Sequence, residues 1–164
     1  MKKVLVIGCP GSGKSTFARY LHDVSELPLY YLDMIWHKED KTTYTQEEFD
    51  VALDKILDKD AWIIDGNYSR TLDKRLDRAD TVYFLDLDLD VCLSSIISRL
   101  NKKRPDMPWV EEEIDEEFMD FIRDFPISQR PKILDALNRH DHIKVITFKT
   151  RAEVNEYIKE RRYG

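Results

Sequence analysis

Residues Gly8-Cys9-Pro10-Gly11-Ser12-Gly13-Lys14-Ser15 satisfy the spacing G-x-x-x-x-G-K-[ST], which suits one kind of chemistry, the holding of a phosphate chain. Glycines let the backbone turn tightly with its amide groups aimed inward, and a helix opening at the end of the loop adds its positive dipole. Lys14 is then placed to reach the outer phosphates, the Ser15 hydroxyl to bind Mg²⁺, and Thr16 to lie beside the α-phosphate. Gly8, Pro10, Gly11, Ser12, Gly13, Lys14, Ser15 and Thr16 are therefore the expected phosphate-binding residues, with Cys9 a bystander. The rival reading is a glycine-rich strand-to-helix turn. By residue frequencies the four fixed positions coincide by chance in on the order of one chain in a few hundred, before the flanking strand and helix are required.

Such a loop needs a strand behind it and a helix in front. Short apolar runs at Lys2–Ile7, Leu29–Leu32, Ala61–Ile64, Thr81–Leu85 and Ile143–Phe148 predict five strands. Between and after them, helical patterns cover Ser15–Val24, Gln46–Lys59, Ser69–Arg78, Val91–Lys103, Val110–Phe125, Pro131–Arg139 and Ala152–Glu160. Apolar strands alternating with helices predict an α/β fold whose five-stranded parallel sheet is buried on both faces. The chain has 164 residues, enough for one domain and too few for two of usual size. The connection from Leu89 to Asp141 has 53 residues, where a one-helix crossover needs little more than about 10–12. Pro105 and Pro108 stop the helix before it, and Val110, Ile114, Phe118, Phe121, Ile122 and Phe125 form an apolar stripe within it, so a helical subregion standing off the sheet is expected.

The net charge is −6, but residues 104–125 alone carry −7 and the remainder is about neutral, so the acidity does not exclude an anionic ligand elsewhere. Cys9 and Cys92 give no disulfide framework, and a reducing cytoplasm is the expected compartment. No apolar run approaches the ~20 residues of a membrane span, so no membrane partner is expected. His22, His37, His140 and His142 fall at no ligand spacing with the cysteines, which excludes a zinc reading.

In an open parallel sheet, ligands bind beyond the carboxyl ends of the strands. Strand two is read as ending in Asp33, strand three in Asp65-Gly66-Asn67 and strand four in Asp86. Asp65, on a strand beside the phosphate loop, is the metal candidate, against a plain Asp-Gly turn. Asp33 is assigned to the phosphate acceptor, against a helix cap or solvated strand end. Asp86 and Asp88 read as a solvated turn or an N-cap, Arg75 and Arg78 equally as solvated helix charges, and Tyr30, Tyr31 and Trp36 as core.

The phosphate loop, the run Ala61-Trp62-Ile63-Ile64-Asp65-Gly66-Asn67-Tyr68-Ser69-Arg70-Thr71, and a helix ending Ser98-Arg99-Leu100-Asn101-Lys102-Lys103-Arg104 together resemble the adenylate kinase relatives among the P-loop kinases. More narrowly, Leu32-Asp33 followed by Trp36, the run Ile64-Asp65-Gly66-Asn67-Tyr68, and Arg104-Pro105-Asp106-Met107 resemble the bacterial DNA topology modulation proteins (FlaR-type) over nearly the whole chain. The resemblance implies a P-loop kinase fold using ATP and Mg²⁺. It implies a lid at residues 104–130, with Arg99 or Arg104 at its base and Arg123 or Arg130 within it reaching the phosphates. In adenylate kinases the Asp-Gly run continues into Phe-Pro-Arg, whose arginine holds the acceptor phosphate. Here Asn67-Tyr68-Ser69-Arg70 stands instead, with Arg70 one residue late, so Asn67 and Arg70 are the corresponding acceptor-side residues.

The resulting expectation is Mg²⁺- and ATP-dependent phosphoryl transfer to a small, nucleotide-like acceptor. The catalytic set is Lys14, Asp33, Arg99, Arg104, Arg123 and Arg130; Ser15 and Asp65 serve the metal. The alternatives are a kinase of a non-nucleotide metabolite and a nucleotide-controlled regulator that interacts with DNA. The last lacks a basic stripe, a helix-turn-helix signature or a base-stacking motif. No motif encodes the acceptor's identity or an oligomeric state.

Overall fold

A computed structural model describes residues 1–163. Five strands, β1 (Lys3–Gly8), β2 (Leu29–Tyr31), β3 (Trp62–Asp65), β4 (Thr81–Leu85) and β5 (Lys144–Phe148), form one sheet in the order β2-β3-β1-β4-β5, all parallel. The central strands β1, β3 and β4 are buried almost throughout, which explains why they read as unbroken apolar runs instead of alternating ones. β1 has β3 on one side and β4 on the other, so its carboxyl end opens where the chain's winding reverses. That point in such a sheet is where a ligand crevice forms.

The helices are α1 (Lys14–Ser25), α2 (Leu32–Trp36), α3 (Gln46–Leu57), α4 (Leu72–Arg78), α5 (Leu89–Ser98), α6 (Glu116–Ser128), α7 (Arg130–Arg139) and α8 (Arg151–Tyr163), with a 3₁₀ turn at Ser69–Thr71 before α4. Thr45 and Glu48 start α3 with a reciprocal capping box. α6 begins at Glu116, later than the apolar stripe suggested. The Asp115 carboxylate accepts from the amides of Glu117 and Phe118 and fixes the start there, while Ile114 is left exposed. α5 stops at Ser98, well short of Lys103, because Asn101 takes a left-handed conformation (φ 62°) and the chain leaves the helix. The 3₁₀ turn replaces the first turn of the helix expected from Ser69. α2 had no signal in the sequence, and it moves Asp33 from a strand end into a short helix.

Among the residues inserted between β4 and β5, Met119, Ile122 and Phe125 of α6 and Ile133 and Ala136 of α7 are buried in the main core. The second half of the expected lid is thus anchored to the domain. Residues 99–115, which hold no helix or strand, are the part that stands free of regular structure.

Candidate functional site

Gly13 (φ 90°) is the N-cap of α1, and no side chain caps that end, so the first amides of α1 remain unpaired at the loop. Gly11 (φ 86°) has no alternative, since a Cβ there would lie 2.2 Å from the Cys92 carbonyl oxygen. The Cys9 thiol is held well above its ordinary pKa by its hydrogen bond with Cys92 and by burial, which makes it a neutral packing group as expected. Arg151, the first residue of α8, donates to the Gly11 carbonyl (3.0 Å), the Ser12 carbonyl (3.3 Å) and the Ser95 hydroxyl (2.7 Å), clamping the loop from the β5 side.

The Ser15 hydroxyl donates to Asp65 Oδ2 at 2.5 Å, joining the first turn of α1 to the end of β3. Asp65 is 4% exposed, and its Oδ1 is buried without a hydrogen-bond partner. Burial pushes its pKa up to about 6, against the Lys14 ammonium and the Ser15 hydroxyl, which favour the ionised form. Asp106 Oδ2 lies 3.4 Å from the same hydroxyl. A hydroxyl beside a carboxylate with an idle buried oxygen suits a hard cation, and Mg²⁺ in particular takes one or two protein oxygens and keeps waters and substrate phosphates for the rest. Among the described residues no three His, Cys, Asp or Glu side chains converge as a full metal cage.

Two cavities meet at this point. One, of about 280 Å³, is lined by the loop residues Gly11 to Thr16 other than Ser12, together with Arg19, Ser95, Arg99, Arg104, Asp106 and Arg151. The other, of about 380 Å³, is lined by Asp33, Trp36, Asn67, Tyr68, Phe118 and Phe121 among others. Lys14, Arg99 and Asp106 line both. Arg99 caps the end of α5, and its Nε is buried without a partner. Its pKa is lowered by burial and by the neighbouring Arg104 guanidinium. An unpaired, desolvated guanidinium between two cavities is a site built for an anion.

The loop after β3 forms the floor of the second cavity. Asn67 spans to the phosphate loop, its Oδ1 accepting from the Gly8 amide (3.0 Å) and its Nδ2 donating to the Gly8 carbonyl (2.6 Å). Tyr68 sits at φ 36°, an unfavourable conformation for an aromatic residue, and its hydroxyl donates to Asp33 Oδ1 at 2.5 Å. Arg75 holds that conformation in place. Fully buried, its guanidinium donates to the carbonyls of Gly66 (3.0 Å), Asn67 and Tyr68 (3.1 Å) and to the Thr71 hydroxyl (3.2 Å). Burial brings its pKa down to about 9, so it stays charged at neutral pH. The solvated-helix reading of Arg75 is therefore wrong; Arg78 does lie exposed, bonded to the Leu57 carbonyl and Asp58.

Of the expected residues, the structure gathers the phosphate loop, Asp33, Asp65, Asn67, Arg99 and Arg104, the last bound to Glu111 (2.8 Å) and beside Asp106 (3.6 Å). Arg70, Arg123 and Arg130 are not with them. Arg70 turns outward to Asp50 (2.7 Å). Arg123 lies on the solvent face of α6 with Asp120 (2.8 Å), because the opposite face of that helix is spent on the core. Arg130 pairs with Asp86 (2.9 Å), which also takes Lys149 (2.5 Å), beside a separate cavity of about 430 Å³. Asp86 is thus an ion-pair partner and not a cap, and Trp36 is a cavity wall as well as a packing residue. Asp106, Tyr68 and Arg151 carry no role in the sequence reading, and Arg75 carries the wrong one, since their roles depend on contacts that the folded chain alone brings together.

No family model matches the chain, and no curated protein matches it in sequence. Solved structures do match in shape. A shikimate kinase from Acinetobacter baumannii in complex with shikimate superposes with a TM-score of 0.63 at 16% identity, over 92% of this chain and 84% of that one. A shikimate kinase from Bacteroides thetaiotaomicron gives 0.56 at 17% identity, covering 98% and 96%. A gluconokinase from Sinorhizobium meliloti 1021 gives 0.56 at 12%, covering 96% and 89%. At these identities the likeness is one of fold. With its five parallel strands, flanking helices and phosphate loop, the chain has the fold of the P-loop kinases.

Proposed function

We propose that this protein transfers a phosphoryl group from Mg²⁺-ATP to the hydroxyl of a small molecule. One observation carries the reading: Lys14, Arg99 and Asp106 line both the phosphate-loop cavity and the cavity that holds Asp33. Transfer needs donor and acceptor in one line with the transferring group between them, and a shared wall bearing two cations supplies both the position and the charge. The small-molecule kinases that share the fold support the same reaction class.

Asp33 is the base. Its Oδ1 is occupied by the Tyr68 hydroxyl, and its Oδ2 has no hydrogen-bond partner among the described residues, leaving it able to accept the acceptor's proton. The acceptor oxygen bonds to the γ-phosphorus as the bond to the β–γ bridging oxygen breaks, releasing ADP, and the proton passes from Asp33 to solvent. Lys14 and Arg99 neutralise the charge spread over the equatorial oxygens, and Arg104 brings a third cation to the donor side. Ser15 and Asp65 would hold Mg²⁺, which would supply further charge neutralisation to the phosphates. The test is ATP consumption measured against nucleosides, nucleoside monophosphates, sugar alcohols and shikimate, with calorimetry of Mg²⁺-ATP binding. Lys14→Ala is expected to abolish transfer and weaken nucleotide binding. Unchanged binding and turnover in that variant would overturn the reading, and water as sole acceptor would make the protein an ATPase.

A further inference from the structure

We infer that the acceptor is an uncharged, flat-ringed alcohol, a nucleoside in class and not a nucleotide. The inference rests on the kinase reading above and concerns the acceptor cavity of that site.

The first observation is what α6 presents. Phe118 and Phe121 lie nearly parallel (10°, centroids 6.4 Å apart) and both line the cavity, with Phe121 42% exposed. From α2 and the loop after β3 come Trp36 and Tyr68, edge to face at 6.5 Å. Four aromatic rings from three separate segments thus border one opening of about 380 Å³. A solvent-facing phenylalanine in a concave site is an unmet apolar surface, and a flat ring satisfies it while leaving the ring's substituents free to hydrogen-bond.

The second observation is charge. The lysine and arginine that line this cavity, Lys14 and Arg99, also line the phosphate-loop cavity, where a polyphosphate engages them. Among the described residues no other lysine or arginine lines this cavity, and the ring of His37 packs edge-on against Trp109 at 5.1 Å. Asp33 and Asp106 supply carboxylates on the same lining. The arginine that would answer to an acceptor phosphate, Arg70, is bound outside to Asp50 through both carboxylate oxygens. A phosphate or carboxylate on the acceptor would therefore enter desolvated, facing Asp33, without a partner. A neutral hydroxyl meets Asp33 Oδ2 as a donor and pairs with it.

Matched acceptors test this. Transfer from Mg²⁺-ATP is measured for adenosine, guanosine and thymidine against their 5′-monophosphates, and for hydroxymethylpyridine against hydroxymethylbenzoate, with glycerol as the ringless alcohol. The expected result is a kcat/KM at least tenfold higher for the neutral member of a used pair, and at least tenfold above glycerol. Phe121→Ala, at a partly exposed position that does not threaten folding, is expected to raise KM for the ring acceptor about tenfold. Better use of the monophosphates or of hydroxymethylbenzoate overturns the inference, as does equal use of glycerol, an unmoved KM in Phe121→Ala, or Mg²⁺-ATP binding with no member of the set used. Failure of the wild-type protein to bind Mg²⁺-ATP by calorimetry, in contrast, removes the kinase reading itself.

Discussion

The Tyr68 hydroxyl and the Asp33 carboxylate form a 2.5 Å hydrogen bond across 35 residues of chain, joining α2 to the loop that follows β3. The bond fixes one oxygen of Asp33 and aims the other, and it helps hold Tyr68 in its left-handed backbone conformation. Burial, followed by the Asp33 charge and the bond itself, keeps the tyrosine hydroxyl protonated well above its ordinary range, so it acts as a donor throughout the physiological pH range.

Asp33 and Asp65 are expected to separate in function. If Asp33 is the base, Asp33→Asn should lower kcat by about 10²–10⁴-fold while leaving Mg²⁺-ATP binding within about twofold. Tyr68→Phe leaves the carboxylate but frees it to rotate, so a smaller loss of kcat with a raised acceptor KM is expected. Asp65→Asn should leave acceptor KM near its original value and shift the Mg²⁺ titration of activity to higher concentration. Steady-state kinetics at several Mg²⁺ concentrations distinguish the three, and an unaltered metal titration in Asp65→Asn would remove that residue from the metal site.

Arg75 touches the cavity that holds Asp33 only through the backbone carbonyls of Gly66, Asn67 and Tyr68, and its substitution tests whether the loop conformation matters. Arg75→Met keeps the buried stem and removes the donors to three consecutive carbonyls and Thr71. Leaving buried acceptors unpaired is expected to cost about 3 kcal/mol of stability. If the residue also positions Tyr68 and Asn67, the variant, assayed well below its unfolding temperature, shows a raised acceptor KM with little change in ATP KM. A uniform loss of both, in proportion to the folded fraction, would give Arg75 a structural role alone.

The phosphate loop could be read from eight adjacent residues because its chemistry is local: the same spacing that makes the turn delivers the lysine and serine. Asp65 was legible for a related reason, since an apolar run that ends in Asp-Gly marks the edge of a buried strand. Arg75 was not, because Leu72-Asp73-Lys74-Arg75-Leu76-Asp77-Arg78 alternates charge as a solvated helix does, and the carbonyls that bury its guanidinium belong to a loop seven to nine residues upstream. Periodicity also grouped Phe118 and Phe121 with Ile122 and Phe125 as one apolar stripe. It separates apolar from polar positions but does not distinguish a core face from a cavity wall, and here the stripe is divided between the two. α2 escaped because five residues are too few to show a helical period.

His140 makes a pH-dependent link between α7 and α4. Its Nδ1 lies 2.8 Å from the Ala136 carbonyl and its Nε2 2.8 Å from Asp77 Oδ1, with Asp73 at 3.8 Å and Arg139 also on Asp73. Both partners of the ring are acceptors, so both contacts are hydrogen bonds only when both nitrogens carry protons. The bond to Ala136, followed by Asp77 and against the cost of burial, raises the pKa above the ordinary histidine value. A raised pKa in the folded state gives stability that is complete below about 6.5, the unfolded value, and is lost as the pH rises through the folded value. The melting temperature of Asp77→Asn is therefore expected to fall below that of the unaltered protein at pH 5.5–6 and to converge with it above pH 8. A constant difference across that range would show that the link does not titrate.

A segment shorter than residues 104–130 is expected to close over the substrates. Met119, Ile122 and Phe125 tie α6 to the core at 4%, 0% and 4% exposure, and swinging that helix away would uncover all three. Residues 99–115 place no apolar side chain in the core; their contacts to the rest of the chain include Asp106 at 3.4 Å from the Ser15 hydroxyl and Trp109 edge-on against His37. Their internal ties are the Asn101 amide to the Glu111 carbonyl (2.6 Å) and the ion pairs of Arg104 with Glu111 and Asp106. Because Arg104 and Asp106 line the phosphate-loop cavity, movement there would exclude water from the transferring group and bring Arg104 to it without disturbing the core. Hydrogen exchange with Mg²⁺ and a non-hydrolysable ATP analogue, with and without acceptor, reads this directly. Protection is expected to rise over 99–115 when both ligands are present, while the amides of 119–128 change little. Arg104→Ala should lower kcat, and Arg123→Ala, on the solvent face, should leave it unchanged. Equal gains across the whole of 104–130, together with a loss of turnover in Arg123→Ala, would restore the longer lid.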